Sequence, residues 1–578
     1  MSIKFLNIIF SKPVFIILFL FISISLNSII FKSIYYSDNI IIDYDFSKIN
    51  VTDIMILNNI KKIYIIFNLI SKVILLNLLY NLLFSKIFDK LKTIFENNFK
   101  KQKILENSSI TNLSLLVGKT CLENKDVCIS ESGLYQNILV TGTTGCGKTS
   151  SAMYPFSRQL IAYESTNPAK RLGILVLDVK GNFYKEIEKY ADSFNRKSDF
   201  LILELGKNIK YNPLNKPNLK PLVLANRLKT ILTLFSTNNS DSYWLDKTEQ
   251  ILAECIKLCR LYNNGYVNFI EIHKLINIEN YYTEKIGTLR NLFHSGMLSP
   301  SDLYDLSSSL DFFETEYKTL DSRVLSIIKS EITRITSAFT SDLYVKNTFC
   351  PEKLDISLDI GDVVNNGKIL VLNMNISEYR NLSKIIATYL KLDFQTEVMN
   401  RLSADSDIRP VAFVCDEYNE YVTSTDAEFF AQSREAKCIN IVATQSYNSL
   451  LTALKDESTV RTITQNLINK LWFRTDDIFT IEEIQKQIGK EDKQKISTSI
   501  SENAKETNFN YFSNKLKSMN SSISESVNTY SQTDYILDTK FFTQDLKTFE
   551  CFCFLSDGNL ILPPCKLNLI PYFKNIQK

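Results

Sequence analysis

Short apolar runs that end in polar residues recur through the middle of the chain. Ile138-Leu-Val140 leads into Thr141 and Gly142, Leu172-Gly-Ile-Leu-Val-Leu177 ends in Asp178, and Phe200-Leu-Ile-Leu-Glu-Leu205 follows. Further on, Lys368-Ile-Leu-Val-Leu372 ends in Asn373, Val411-Ala-Phe-Val-Cys415 in Asp416 and Glu417, and Ile439-Asn-Ile-Val-Ala443 in Thr444 and Gln445. Apolar runs without alternation predict strands buried on both faces, as in a mainly parallel sheet. Lys470-Leu-Trp-Phe473 predicts the last core strand. The stretch from Ile104 to Glu131 predicts short strands and turns.

From about Asn226 to Asn347 the strand signals fade and apolar residues recur at helical spacing. Trp244, Ile251, Leu252, Cys255, Leu258 and Cys259 fall on one side of a helix from Trp244 to Tyr262. Leu325, Ile328, Ile332 and Ile335 do the same between Leu320 and Phe339. A helix from Leu382 to Leu402 precedes the strand at Val411. The fold class expected is therefore α/β: a nucleotide-binding domain over 104–225 and 348–480, with an inserted all-α domain over 226–347. The remaining part, 481–578, reads as a polar flexible segment followed by a return to the core. Lys493 to Gln532 is dense in Ser, Asn, Lys and Glu, which predicts a solvated stretch. Cys551-Phe-Cys-Phe-Leu555 and Leu560-Ile-Leu562 predict short strands after it.

The first 103 residues have another pattern. Val14 to Phe31 is apolar and uncharged, long enough to cross a bilayer. Ile63 to Phe84 is a second apolar run, interrupted by Asn68, Lys72, Asn77 and Asn81. Lys4 and Lys12 precede the first run. Asp38, Asp43, Asp45 and Asp53 lie between the two, and Lys86, Lys90, Lys92, Lys100, Lys101 and Lys103 follow the second. By the charge rule this predicts two transmembrane helices in a bacterial inner membrane, with both termini and the nucleotide-binding domain cytoplasmic.

Composition adds limits. The 578 residues are 45% hydrophobic and 22% charged, with a net charge of +3. Near-neutrality means that any nucleic-acid surface is local. The 11 cysteines form no C-x-x-C pair and there are 2 histidines, which favours buried free thiols over a zinc site.

The chemistry concentrates in two places. Gly142, Thr143, Thr144, Gly145, Cys146, Gly147, Lys148 and Thr149 fit the phosphate-binding pattern G-x-x-x-x-G-K-[ST]. The glycines let the backbone curl so that successive N–H groups face one anion, and the helix that follows through Ser150 adds its positive end. Lys148 reaches the β and γ phosphates, and the Thr149 hydroxyl can ligate Mg2+. Asp416 and Glu417 close an apolar strand, the arrangement in which one acid holds the Mg2+ shell and the next polarises water. Gln445 ends the neighbouring strand, where an amide can sense the γ-phosphate. Arg434 lies between these elements and is the candidate arginine finger for a neighbouring subunit.

The order of these pieces resembles the type IV secretion coupling proteins, the TraG/TraD-like conjugation ATPases of the FtsK/HerA superfamily. The residues that carry the resemblance are the two N-terminal apolar runs, Gly142 to Thr149, Leu177-Asp-Val-Lys-Gly181, Tyr211-Asn-Pro213, Trp244, Asp416-Glu417, Arg434 and Ala443-Thr-Gln-Ser446. The resemblance implies a RecA-like P-loop core in a homo-hexameric, membrane-anchored ring that hydrolyses ATP with Mg2+. It implies that the ring moves single-stranded DNA, delivered by relaxosome proteins, toward a secretion channel. Lys148 and Thr149 would bind nucleotide and metal, Asp416 and Glu417 would carry hydrolysis, Gln445 would sense phosphate and Arg434 would act in trans. A receptor for secreted proteins and an FtsK-type chromosome translocase are the alternatives. No LSGGQ-like signature separates the two acidic and glycine motifs, which disfavours an ABC transporter.

Overall fold

The computed structural model describes residues 113–574, apart from 122, 236–241, 297, 341, 404–407, 504–508, 511–514 and 517–521. An 11-stranded sheet runs through it. Its strands are β1 (Ser114–Thr120), β2 (Asp126–Ser130), β3 (Ile138–Thr141), β4 (Gly173–Leu177), β5 (Phe200–Leu203), β6 (Ile369–Leu372), β7 (Val411–Cys415), β8 (Cys438–Thr444) and β9 (Asn469–Phe473), joined later by two more. The neighbours β9-β3-β8-β7-β4-β6-β5 are all parallel. Every residue of β3, β4, β6, β7, β8 and β9 is buried, which is why these strands read as unbroken apolar runs.

The pleat sends alternate side chains into two cores. Ile138, Val140, Ile174, Val176, Ala412 and Val414 pack with the helix Tyr154–Ala162 on one face. Leu139, Leu175, Leu177, Phe413, Cys415 and Val442 face the other way. That second core runs without a break into the region between Pro221 and Phe349, whose described elements are all helical. Ile251, Leu252, Cys255 and Cys259 from the helix Ser242–Tyr262 join Ile328, Ile332 and Ile335 from Ser322–Thr340. The Tyr211-Asn-Pro break marks the junction. Tyr211 donates to Asp393 at 2.8 Å, Arg227 pairs with the same buried carboxylate at 3.0 Å, and the Asn212 amide donates to the Val267 carbonyl at 3.0 Å.

Four outcomes differ from the sequence reading. First, two transmembrane helices and an inner-membrane location are not upheld. Among the described residues no helix is long and apolar enough to cross a membrane. The longest ones interleave charges, such as Asp246, Lys247 and Glu254 in Ser242–Tyr262, or Lys391, Asp393 and Glu397 in Ile376–Asn400. The runs 14–31 and 63–84 lie outside the described residues. Second, the polar stretch after 490 is paired. Strand β10 (Lys490–Asn503) is followed by β11 (Phe509–Asn510), β12 (Lys515–Leu516) and β13 (Ser522–Tyr535). β10 and β13 form an antiparallel ribbon from Lys490↔Tyr535 to Asn503↔Ser522. Among its described side chains none is buried, and the apolar alternation that marks a strand is missing from its sequence. Third, β9 is not the last strand of the sheet. β14 (Glu550–Phe554) pairs antiparallel with β9, β15 (Cys565–Asn568) pairs with β14, and β1 and β2 complete that flank. Fourth, the strand after β14 is Cys565–Asn568 rather than Leu560–Leu562. The latter run makes only an isolated bridge, Ser556 to Ile561, before Pro563 and Pro564 interrupt it.

Candidate nucleotide site

The parallel strands end on one side of the molecule, and the loops there form the site. After β3 the chain turns through Gly142 to Gly147 and enters a helical turn at Thr149–Met153 that continues as Tyr154–Ala162. Glycine is required here sterically. A Cβ on Gly142 would lie 2.6 Å from the Phe473 Cβ, and one on Gly147, at φ 104°, would lie 2.5 Å from the Phe549 ring. Cys146 is buried beneath the loop among the apolar residues of the sheet face. Thr143 is tied to the end of β9, its N–H and hydroxyl both donating to the Arg474 carbonyl at 2.9 and 3.1 Å. The Lys148 ammonium lies inside the turn, buried, donating to the carbonyls of Gly142 and Thr143.

Thr149 and Asp416 meet. The Thr149 hydroxyl donates to Asp416 Oδ2 at 2.8 Å, although 267 residues separate them. The reason is strand order: β7 lies two places from β3, across β8. Burial pushes the Asp416 carboxyl up to about 6, with the Thr149 hydrogen bond opposing the rise and the adjacent Glu417 adding to it. A buried carboxylate beside a hydroxyl at the mouth of a glycine-lined loop is an oxygen donor set that suits Mg2+.

Glu417 adopts a left-handed backbone conformation, φ 53° and ψ 51°. This turns its side chain away from the strand line and toward two others. The Gln445 amide donates to Glu417 Oε2 at 3.3 Å, and Lys180 Nζ lies 3.6 Å from Oε1. Lys180 lies in the Leu177–Gly181 stretch that carries the resemblance, but the sequence reading assigned it no role. The signal was the polar loop at the end of β4, where Asp178 accepts from the N–H groups of Lys180, Asn182 and Phe183 at 3.0 Å each. That carboxylate fixes the loop and so aims Lys180.

Arg434 is not part of this cluster. It precedes β8, at the end opposite Gln445, and donates to the Gly558 carbonyl at 3.2 Å. β8 is seven residues long, a span of about 20 Å at ~3.3 Å per residue. An arginine side chain cannot bridge that distance to Lys148 of its own chain.

A mainly parallel sheet with a glycine loop after β3 and a buried acid just after β7 against the loop threonine defines the P-loop NTPase fold. Residues 410–533 match the family model described as the TraM recognition site of TraD and TraG. In structure the chain is similar to the bacterial conjugative coupling protein TrwBΔN70 in its unbound monoclinic form, with 12% identity and a TM-score of 0.53 over 82% of this chain and 91% of that one. It is also similar to the plasmid coupling protein TrwB in complex with the GTP analogue GDPNP, at 12% identity and TM-score 0.50 over 77% of this chain and 88% of that one. The form of TrwB with ADP and Mg2+ gives 13% identity and TM-score 0.50 over 77% and 87%. At this identity the structural likeness is one of fold. No curated protein matches the chain. The resemblance to TraG/TraD-like coupling proteins therefore holds, in sequence over 410–533 and in fold over most of the chain.

Proposed function

We propose that the chain hydrolyses ATP at this site and uses the cycle to drive DNA, presented by relaxosome proteins, into a type IV secretion or conjugation channel. The observation that carries the reading is the 2.8 Å contact between Thr149 and Asp416, with Glu417 beside it. The curled loop from Gly142 to Ser150 offers its N–H groups to the phosphates, and Lys148 moves from the loop carbonyls to the β and γ oxygens. Mg2+ held by Thr149 and Asp416 would neutralise charge developing between those phosphates. Glu417, oriented by Gln445 and Lys180, accepts the proton of the attacking water.

Arg434 serves the neighbouring site in a ring of identical chains, a homo-hexamer by the family resemblance. Its distance from its own loop supports that reading. The helical region 226–347 is the part that meets the substrate complex. The match to a TraM recognition model, which lies at 410–533 and not in that helical region, supports a relaxosome partner.

The test is ATP turnover of the purified protein with and without single-stranded DNA, at several salt concentrations. Stimulation by DNA that falls steeply with salt is the expected result, because phosphate contacts release counterions. Turnover indifferent to DNA but raised by a secreted polypeptide would replace DNA with protein as the cargo.

A further inference from the structure

The last strands of the sheet bring a group of aromatic side chains against the phosphate loop. The Phe549 N–H donates to the Cys146 carbonyl at 3.1 Å, and the Tyr572 N–H donates to the Ser150 carbonyl at 2.9 Å. The two segments are joined by the Leu569 N–H, which donates to the Phe549 carbonyl at 2.8 Å. Phe549 sits at φ 68°, a region rare for a bulky side chain. That conformation lays its ring on Gly147. The Phe573 ring lies 5.9 Å from Phe549 and 5.5 Å from Tyr572, and Tyr572 lies 5.0 Å from Tyr154 on the loop's own helix. Phe549 is half-buried, yet Phe573 is 58% exposed and Tyr572 40%. Large rings held by backbone hydrogen bonds at a phosphate loop, but left open to solvent, have not been placed there by core packing.

Strand order says which part of a nucleotide they face. β7, with Asp416 and Glu417, lies two places from β3 on one side, and β14 lies two places away on the other. A triphosphate whose terminal phosphate points to Asp416 and Glu417 directs its nucleoside toward the β14 flank. We propose that Phe573, backed by Phe549 and Tyr572, stacks on the purine base of the nucleoside triphosphate held by the loop. The proposal rests on the nucleotide-binding reading of the glycine loop. It makes the site selective for a base with a broad π face, since stacking is tolerant of which purine is present.

The experiment is calorimetric titration of the full-length protein with ATP and, separately, with inorganic tripolyphosphate, both with Mg2+. Wild type should bind ATP more tightly than tripolyphosphate. Phe573→Ala should weaken ATP about 10- to 100-fold while leaving tripolyphosphate unchanged. Phe573→Trp should restore ATP affinity, and its fluorescence should be quenched by ATP and not by tripolyphosphate. Equal ATP affinity in wild type and Phe573→Ala, with the tryptophan signal unmoved, overturns the proposal. So does equal loss of both ligands, which would make the ring a prop for the loop. A changed oligomeric state with unchanged affinity assigns the patch to a subunit contact instead. If wild type binds neither ligand, the phosphate-loop reading falls and takes this proposal with it. If wild type binds tripolyphosphate and ATP equally, the loop reading stands and only the base site is refuted.

Discussion

Lys391 and Asp426 form an ion pair with both side chains sealed from solvent, Nζ to Oδ2 at 2.6 Å. The lysine also donates to the Tyr421 carbonyl at 2.7 Å and to the Thr423 hydroxyl at 2.9 Å. The aspartate accepts from Gln395 at 2.8 Å, from the Thr423 N–H at 3.0 Å and from the Tyr418 hydroxyl at 2.5 Å. Tyr418, Tyr421 and Thr423, in the loop that follows Glu417, are thus tied through Lys391 and Asp426 to the helix Ile376–Asn400.

Removing one member leaves an uncompensated charge in the core. Lys391→Met should destabilise the protein by roughly 3–5 kcal/mol. Chemical denaturation followed by circular dichroism measures this. The double variant Lys391→Met with Asp426→Leu should regain part of the loss, because no buried charge is then stranded. A single variant as stable as wild type would show that the pair contributes no net stability.

Among the described residues the Lys148 ammonium donates to the Gly142 and Thr143 carbonyls of its own loop, so its removal should spare the fold. Lys148→Ala should leave the denaturation midpoint near that of wild type. ATP turnover should fall by at least about 10²–10³-fold, the scale of losing one preorganised charge at a transition state. Turnover kept at the wild-type level would remove the loop from the mechanism.

Glu417→Gln separates binding from chemistry. The amide keeps the shape and the hydrogen bond to Gln445 but cannot accept a proton. ATP affinity should be retained while steady-state hydrolysis drops about 10²–10⁴-fold. Equal weakening of both would instead make Glu417 a binding group, with Lys180 its charge partner.

Much of this site is legible in the sequence, because its parts are local. A strand running into Gly142 to Thr149 and a strand ending in Asp416 and Glu417 are each contiguous, and each ends at the carboxyl side of a parallel strand. Their meeting depends only on strand order, which the P-loop pattern already restricts. The loop that holds Lys180 was legible but the lysine's approach to Glu417 was not, since it comes from Asp178 folding that loop back on itself. The antiparallel flank was half legible: the alternation in Cys551 to Leu555 marks a strand, but not its pairing with β9. The ribbon of β10 and β13 was invisible for the opposite reason. Its stability lies in backbone pairing, and no apolar face announces it.

Arg434 tests the ring. Seven residues of β8 separate it from Gln445, so the proposed role requires its effect on hydrolysis to pass between chains. Arg434→Ala should abolish most turnover alone. Mixed with Lys148→Ala chains, it should recover part of the activity where an intact loop faces an intact arginine. Mixed rings with no recovery, or Arg434→Ala monomers slower than wild-type monomers, would exclude the role in trans.

Lys470 offers a pH test independent of function. It sits on β9 with its side chain packed inside, and burial alone pushes its ammonium down to about 8. In the unfolded chain the same group titrates near 10.5. Between those values the unfolded state holds the extra proton, so stability should rise with pH from about 8 to 10.5. Below 8 both states are charged and the full burial penalty applies. The gain is at most about 3 kcal/mol on the scale of 1.36 kcal/mol per unit. Lys470→Met should therefore be more stable than wild type at pH 7, and the difference should shrink as pH climbs through that window. Denaturation midpoints measured at pH 7, 8.5 and 10 check both statements. A variant less stable than wild type at pH 7 would mean that the buried ammonium has a stabilising partner and is not merely tolerated.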